Sequence, residues 1–519
     1  MGEFLDRGNK NFRDVRKGKF VDKSATINTF NESIDTEQRY ICVSRPRRFG
    51  KTLAAKMLYA YYDRSCDSHA LFDDLEIASL PSYETHLNKY PTIFIDWNRF
   101  SDIPRTEILT KAQQAIICDL KESYPFVTKN DSILDALAEI NKKTGDQFVM
   151  IIDEWDTLVR DVDKETQDNY VNFLRSLFKS VNANDIFHLV YMTGILPIIK
   201  IETQSALNNF IEYSIVDPGE TDKYYGFTKE EVIALCDKYQ MNFELMEHAY
   251  DGYIVGNERH IFNPNSVINS IIKRNYGSFW SKTAAFTAIE RYIHIDADNV
   301  RQRIIRMLNG ESVSVEITSF RNDMKTVTSY DDVLTLLIHL GYLSYDPQTT
   351  LAHIPNNEVA GEFKNAVKDA GWDDVSRSVA DSFELLNRTI SQDADYIARA
   401  FDRYRFEASS LLEYNDENSM ACAIRLAYYS ASSYYKIFRE LPTGKGFADM
   451  VFVPLPNSHR PAIVVELKFD QSADTAISQI HRKDYPASLA GFSRQILLVG
   501  INYDKKTSKH TVLLESLNN

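Results

Sequence analysis

Ser44-Arg45-Pro46-Arg47-Arg48-Phe49-Gly50-Lys51-Thr52 is the stretch on which the fold turns. An apolar run, Tyr40-Ile41-Cys42-Val43, comes before it, and Leu53-Ala54-Ala55-Lys56-Met57-Leu58, with helical spacing, comes after it. Strand, tight loop, Gly-Lys-Thr and helix is the layout of a phosphate-binding P-loop. Backbone N–H groups at a helix N-terminus face the anionic phosphates. Lys51 is expected to neutralise the β/γ-phosphates and Thr52 to place its hydroxyl on Mg²⁺. The expected nucleotide-binding set is Arg45, Pro46, Arg47, Arg48, Phe49, Gly50, Lys51 and Thr52. Arg45 replaces the first glycine of the usual pattern, so the match by itself is only partly specific.

A second feature supports the first. Phe148-Val149-Met150-Ile151-Ile152 is continuous apolar sequence ending in Asp153-Glu154. A strand buried on both faces reads this way, and its C-terminal end is where an open α/β sheet binds ligand. Asp153 is expected to hold the Mg²⁺ through water and Glu154 to polarise the attacking water. A third run, Ile186 to Met192, ends in Thr193, placed to sense the γ-phosphate. The sequence does not identify an arginine finger: Arg99, Arg160 and Arg175 are candidates, and each reads more readily as a surface or salt-bridged residue. Either feature alone is common in unrelated chains, but both in this order, with strands between them, point to an ATPase.

At 519 residues the chain exceeds one ordinary core, so several domains are expected. A net charge of −14 argues against an overall electrostatic grip on nucleic acid and leaves room for a local basic groove. The five cysteines are scattered and form no Cys-x-x-Cys pair, which fits a reducing cytoplasm rather than a zinc site or disulfide framework. The first residues show no apolar core of signal-peptide length, and no apolar stretch is long enough to span a bilayer. A cytoplasmic protein without membrane partners is expected.

The expected fold is α/β and multidomain. Residues 1–216 read as a P-loop NTPase core, with strands at 39–44, 91–96, 148–153, 186–193 and 212–216. Helices at 52–62, 107–122 and 167–182 alternate with them, which implies a parallel sheet. Residues 217–300 turn helical, opened by Thr228-Lys229-Glu230-Glu231 with Thr228 as N-cap, where an ATPase lid would sit. Residues 301–405 hold a helix, 333–340, stopped by Gly341, and two short strands around Asp346-Pro347. That order is winged-helix-like, although few Lys or Arg lie in it.

Residues 406–519 carry different chemistry. Ala448-Asp449-Met450-Val451-Phe452-Val453 and Ala462-Ile463-Val464-Val465-Glu466-Leu467-Lys468 read as consecutive strands of a hairpin. Antiparallel pairing sets the start of the first beside the end of the second, so Asp449 meets Glu466 and Lys468. Strand alternation puts Glu466 and Lys468 on one face. Two carboxylates and a lysine form a Mg²⁺-dependent phosphodiester-cleaving centre: acids hold the metal, and lysine orients water or stabilises charge. Glu417, on a helix over 417–430, is a further candidate ligand. On a helix over 472–484, Gln479 and Lys483 share one face. Glu-x-Lys alone is a common salt-bridged strand end; Asp449 and the surrounding element order make the reading specific. Basic residues slightly outnumber acidic ones from Arg439 to Lys509.

Taken together, Phe20-Val21-Asp22-Lys23-Ser24, the loop 44–52, Met192-Thr193-Gly194-Ile195, Gly226-Phe227-Thr228-x-x-Glu231-Val232, Asp251-Gly252-Tyr253 and Asn263-Pro264-Asn265-Ser266 resemble the predicted AAA-ATPase-like family of bacteria and archaea. Arg45 at the first glycine position is usual there. Gly444-Lys445-Gly446-Phe447-Ala448-Asp449, Val465-Glu466-Leu467-Lys468, Gln479-Ile480-x-x-Lys483-x-Tyr485 and Leu498-Val499-Gly500 resemble the PD-(D/E)XK nuclease domain often fused behind it, which has a restriction-endonuclease-like fold. The resemblance implies ATP and Mg²⁺ as cofactors. Gln479, Lys483 and Tyr485 are candidate nucleic-acid contacts. Expected partners are nucleic acid, DNA first, and further copies of the chain. Two functions follow: an ATP-regulated metal-dependent nuclease, or an ATP-dependent switch or scaffold whose nuclease-like domain binds without cleaving.

Overall fold

The computed structural model describes residues 2–518 apart from 130–131, 161, 182, 199, 202–203, 206, 281–296, 309, 323–326, 370–372, 409–416, 429, 432–433, 444–445, 457, 459, 484–488, 490–492 and 494. The chain divides into two compact units, each discontinuous in sequence. One comprises 1–240, 252–274 and 314–352, the other 241–251, 275–313 and 353–519.

The first unit is built on β1 (Tyr40–Ser44), α1 (Lys51–Tyr62), β2 (Thr92–Asp96), α2 (Arg105–Ser123), α3 (Ile133–Thr144), β3 (Phe148–Asp153), α4 (Lys164–Phe178), β4 (Phe187–Gly194) and β5 (Ile211–Tyr213). The five strands pair in parallel in the order β2-β3-β4-β1-β5. Strand periodicity sorts their side chains into two cores. Tyr40, Cys42, Ile93, Ile95, Phe148, Met150 and Ile152 pack on one face with α2, α3 and α4. Ile41, Val43, Phe94, Val149 and Ile151 pack on the other with α1. Double burial explains why β3 reads as unbroken apolar sequence.

Beyond the sheet, the chain is less helical than expected. It forms a three-stranded antiparallel sheet from β6 (Phe227–Thr228), β7 (Tyr253–Val255) and β8 (Glu258–Phe262), with β8 central. Gly256, at φ 62°, makes the turn between β7 and β8. Two helices accompany it, α5 (Lys229–Tyr239) and α6 (Pro264–Lys273). Thr228 caps α5 in a reciprocal capping box with Glu231. The expected helix and hairpin of the middle region are present as α7 (Tyr330–Leu340), β9 (Ser344–Asp346) and β10 (Leu351–His353), with Gly341 at φ 86° ending the helix.

In the second unit, α8 (Glu417–Ala427) precedes β11 (Tyr435–Thr443), β12 (Gly446–Pro454), β13 (Ala462–Phe469), α9 (Ala473–Lys483), β14 (Gln495–Asp504) and β15 (Lys509–Asn518). The sheet runs β11-β12-β13-β14-β15, antiparallel except between β13 and β14. Crossing to a parallel neighbour requires a covering helix, and α9 supplies it. Ile463, Val465 and Leu467 enter one core, while Ala462 and Val464 share the other with Ile477 and Ile480 of α9. By alternation Glu466 and Lys468 lie on the α9 side. Among the described residues no helix is long and apolar enough to cross a membrane.

The seat of α9 on β14 is tight at Gly500, where a Cβ would stand 2.6 Å from the carbonyl oxygen of Ala473 and 2.9 Å from Ile477 Cγ1. Gly500→Ala is expected to cost about 1–3 kcal/mol by overpacking. Calorimetric unfolding of the variant should show a lowered midpoint for one transition; an unchanged trace would contradict this packing.

Candidate functional site

The loop after β1 turns twice through left-handed backbone, at Arg48 (φ 70°) and Gly50 (φ 94°), before α1 begins at Lys51. Glycine adopts that conformation without cost, and Arg48 does so under strain. Lys51 Nζ donates to the carbonyl of Pro46 at 2.9 Å. Burial draws its pKa down, while Glu154, Asp156 and Asp153 act in the other direction. An ammonium held this way lacks a full counter-ion and suits an incoming phosphate.

Asp153 ends β3 in register with Asp96 on one side and Thr193 on the other. Burial lifts its pKa to about 7, against a hydrogen bond from the Thr52 hydroxyl. Asp153 and Thr52 thus meet where a divalent cation would sit, and a buried carboxyl with a raised pKa fits such a charge. Glu154 follows in left-handed backbone at φ 54°, and its Oε2 pairs with Arg160 at 3.0 Å.

A cavity of about 550 Å³ opens over this loop, lined by Arg48, Phe49, Gly50, Lys51, Thr52 and Glu154. Val15, Phe20, Val21 and Lys23 form one wall, and Tyr224, Gly226, Phe227, Pro264, Asn265, Ile268 and Asn269 another. The volume is in the range of pockets that hold small ligands. Residues after the main sheet hold the loop closely. Gly226 N–H donates to the Phe49 carbonyl at 3.1 Å, and the Phe49 ring meets Tyr253 edge-on at 5.0 Å. Asn263 Nδ2 donates to the Arg47 carbonyl at 3.5 Å. Lys23 pairs with Glu231 at 2.7 Å. Of the segment 217–300, residues 241–251 and 275–300 fall outside this unit, and 281–296 lie outside the described residues.

Several expected contacts are placed elsewhere. Arg45 is fully buried; its guanidinium donates to the Ser44 and Tyr213 carbonyls at 2.9 and 2.8 Å and to Thr221 Oγ1 at 2.8 Å. Its charge faces the Tyr225 ring at 5.2 Å, and burial lowers its pKa to about 10. Arg45 therefore braces the start of the loop from behind and does not line the cavity. Pro46 offers its carbonyl to Lys51, and Arg47 is exposed. Thr193 spends its hydroxyl on the Val43 carbonyl at 3.0 Å.

Sequence reading did not identify Asp156. It is fully buried, its Oδ2 accepts from Ile195 and Leu196 N–H at 3.2 and 3.0 Å, and it pairs with Arg160 Nε at 2.9 Å. The acid-aromatic-acid run Glu154-Trp155-Asp156 is its only trace in sequence. Arg160, named as a finger candidate, is committed within its own chain to Glu154 and Asp156.

In the second unit, Asp449 on β12 lies one step beyond the Met450–Val465 pair, opposite Glu466. Asp449 Oδ2 accepts from Leu467 N–H at 2.7 Å. Lys468 Nζ stands 3.3 Å from Glu466 Oε1 and donates to the Leu467 carbonyl at 2.7 Å. Gln479 Nε2 on α9 also reaches Glu466 Oε1. Asp449, Glu466 and Lys468 are thus brought together as expected. Burial first, and then the charge of Asp449, raise the Glu466 pKa to about 7. Among the described residues Glu466 Oε2, which is buried, meets no hydrogen-bond donor. A buried acceptor without a donor, beside a second carboxylate, fits a metal ligand. Lys483 closes α9, four residues after Gln479. Glu417 opens α8, and its side chain, like Tyr485, lies outside the described residues.

Comparison with known proteins finds a family match over each of the two regions. Residues 7–203 match the family described as predicted AAA-ATPase, and residues 415–512 match the PD-(D/E)XK nuclease superfamily. Among solved structures, the chain is similar to the ORC2 protein of Aeropyrum pernix at 11% identity and a TM-score of 0.33, covering 68% of this chain and 96% of that one. It is also similar to CDC6P of Pyrobaculum aerophilum at 11% identity and a TM-score of 0.26, covering 66% and 93%. A signal-transduction ATPase with a tetratricopeptide repeat sensor from Pyrococcus horikoshii is similar at 14% identity and a TM-score of 0.23, covering 78% of this chain and 50% of that one. Scores of this size mark remote likeness. Comparison with curated proteins finds no match.

The raised Glu466 pKa has a direct consequence. In the folded metal-free protein the carboxyl binds a proton between pH 4.5 and about 7, where the unfolded chain does not. The stabilisation this gives is complete below 4.5 and is lost as pH rises through 7. Glu466→Gln, which is never charged, is therefore expected to melt above wild type at pH 8 without metal and to show less advantage at pH 4. Equal differences at the two pH values would contradict the buried, unpaired state of this group.

Proposed function

We propose that the chain binds and hydrolyses ATP at the 45–52 loop, and that its 406–519 region is a metal-dependent nuclease acting on DNA under nucleotide control. The convergence of Asp449, Glu466 and Lys468, with Glu466 Oε2 buried without a donor, supports the nuclease half most strongly. Buried Lys51 and its neighbour Thr52, both lining the cavity, and the hydrogen bond from Thr52 to Asp153 support the ATPase half.

In this reading Lys51 and the N–H groups opening α1 bind the phosphates. Thr52 and Asp153 hold Mg²⁺, and Glu154 orients the attacking water once it is released from Arg160. At the second centre Asp449 and Glu466 hold the metal, with Glu417 as a further ligand. A Mg²⁺ held there would supply positive charge beside the scissile phosphate and would lower the pKa of water. Lys468 neutralises charge developing on the phosphate oxygens, and Gln479 and Lys483 contact nucleic acid, with Tyr485. The four-part division at 216, 300 and 405, assembly into homo-oligomers and a cytoplasmic location belong to the same proposal.

One observation favours the second reading, a switch or scaffold that binds without cutting. Glu466 is only 1% exposed, and Gln479 and Lys468 already occupy its Oε1. A nuclease must open this contact to admit substrate.

Calorimetry with ATP separates the variants of the first site. Lys51→Ala should bind ATP at least tenfold more weakly, because a charge-assisted contact worth roughly 1.5–3 kcal/mol is removed. Glu154→Gln should bind as wild type and hydrolyse slowly. Unchanged affinity in the Lys51 variant would refute the assignment. At the second site, Mg²⁺ or Mn²⁺ should raise the melting temperature of wild type and leave Asp449→Ala unmoved. Equal stabilisation of both proteins would place the metal elsewhere.

A further inference from the structure

Asn265 and Asn269 both line the cavity above the phosphate loop, one turn apart on α6. Their positions are set by the start of the helix. Asn263 is the N-cap, its Oδ1 accepting from Asn265 and Ser266 N–H, and Pro264 occupies the first turn. Residues four apart share a helix face, so the two carboxamides stand side by side with Ile268 between them in sequence.

Their hydrogen bonds fix which atoms each carboxamide can offer. Asn269 Nδ2 donates to the backbone carbonyl of Asn265 at 2.8 Å. A carbonyl only accepts, so the atom facing it is the nitrogen, not the oxygen. The same Nδ2 donates to the Asn265 side chain at 3.2 Å, so the atom of Asn265 facing it is Oδ1. Asn269 is left with Oδ1, an acceptor, and Asn265 with Nδ2, a donor. Neither atom has a partner among the described residues. One helix face therefore presents an acceptor beside a donor to a cavity whose nearby walls, Val15, Phe20, Val21, Phe227 and Ile268, are apolar.

Resting on the ATP-binding reading above, we propose that Asn265 and Asn269 read the base of the nucleotide and select adenine over guanine. Adenine presents a donor, its 6-amino group, beside an acceptor, N1. The amino group donates to Asn269 Oδ1, and N1 accepts from Asn265 Nδ2. Guanine presents the opposite order, an acceptor O6 beside a donor N1–H. Both of its groups meet their own kind, leaving buried polar atoms unpaired, which is the strong form of discrimination. The apolar walls take the faces of the ring, and the Asn-Pro-Asn-Ser run gains a chemical role.

The test is competitive binding of ATP and GTP to the full chain, without hydrolysis, for wild type, Asn265→Asp and Asn269→Ala. A matched pair of contacts to a base edge discriminates by roughly tenfold to a hundredfold, so wild type should favour ATP by at least about tenfold. Asn265→Asp replaces the donor with an acceptor, which suits guanine N1–H, and should move the ATP:GTP ratio to parity or below. Its added negative charge acts on both triphosphates alike and cancels in the ratio. Asn269→Ala should reduce the preference without reversing it. A wild-type ratio near one, or an unchanged ratio in both variants, would overturn the assignment of the base edge while leaving ATP binding intact. If folded wild type binds neither nucleotide, the ATP reading itself is lost, and this one with it.

Discussion

An ionisable group inside a protein must find compensation, and the compensation each group finds here organises the structure. Arg45 is the clearest case. A fully buried guanidinium is costly unless its donors are used. Its two terminal nitrogens donate to carbonyls of β1 and β5 and to Thr221, so one side chain ties the start of the phosphate loop to two later segments. The loop's shape is then stable before any ligand enters. Lys51 and Asp153 follow the opposite logic. Burial disfavours the charge of each, and the compensation they lack is what a nucleotide and its cation would bring.

The same tension recurs at Glu466. Its carboxyl is buried beside Asp449, one oxygen shared by Lys468 and Gln479 and the other without a donor. A structural salt bridge would satisfy both oxygens. A metal ligand leaves one lone pair waiting. Both centres are therefore incomplete by the same measure, although one lies at the strand ends of a parallel sheet and the other within the strands of a mixed one.

The parallel sheet was legible because burial on both faces writes uninterrupted apolar runs, as in Phe148–Ile152. The second centre was legible because hairpin register and strand alternation are arithmetic: Asp449 had to meet Glu466, and Lys468 had to share its face. The sheet β6-β7-β8 was not legible. Its strands are two to five residues long, too short for a period to show. Arg45 was counted among the nucleotide contacts because sequence gives proximity but not direction. Its side chain turned inward, where main-chain carbonyls, invisible in sequence, receive it. Thr193 shows the same limit, since a hydroxyl at a strand end can face a ligand or the neighbouring strand, and here it bonds Val43. Asp156 was missed because two of its partners are backbone N–H groups about forty residues away.

The claim that carries the account is that the cluster of Asp449, Glu466 and Lys468 cuts nucleic acid. The most direct measurement is incubation of the full chain with supercoiled plasmid DNA and Mg²⁺ or Mn²⁺, with and without ATP, resolved by gel. The account predicts metal-dependent nicking or linearisation whose rate changes with ATP. Intact supercoiled DNA under every combination of metal and nucleotide, from a protein that still binds ATP, would contradict it and leave the switch or scaffold reading in its place.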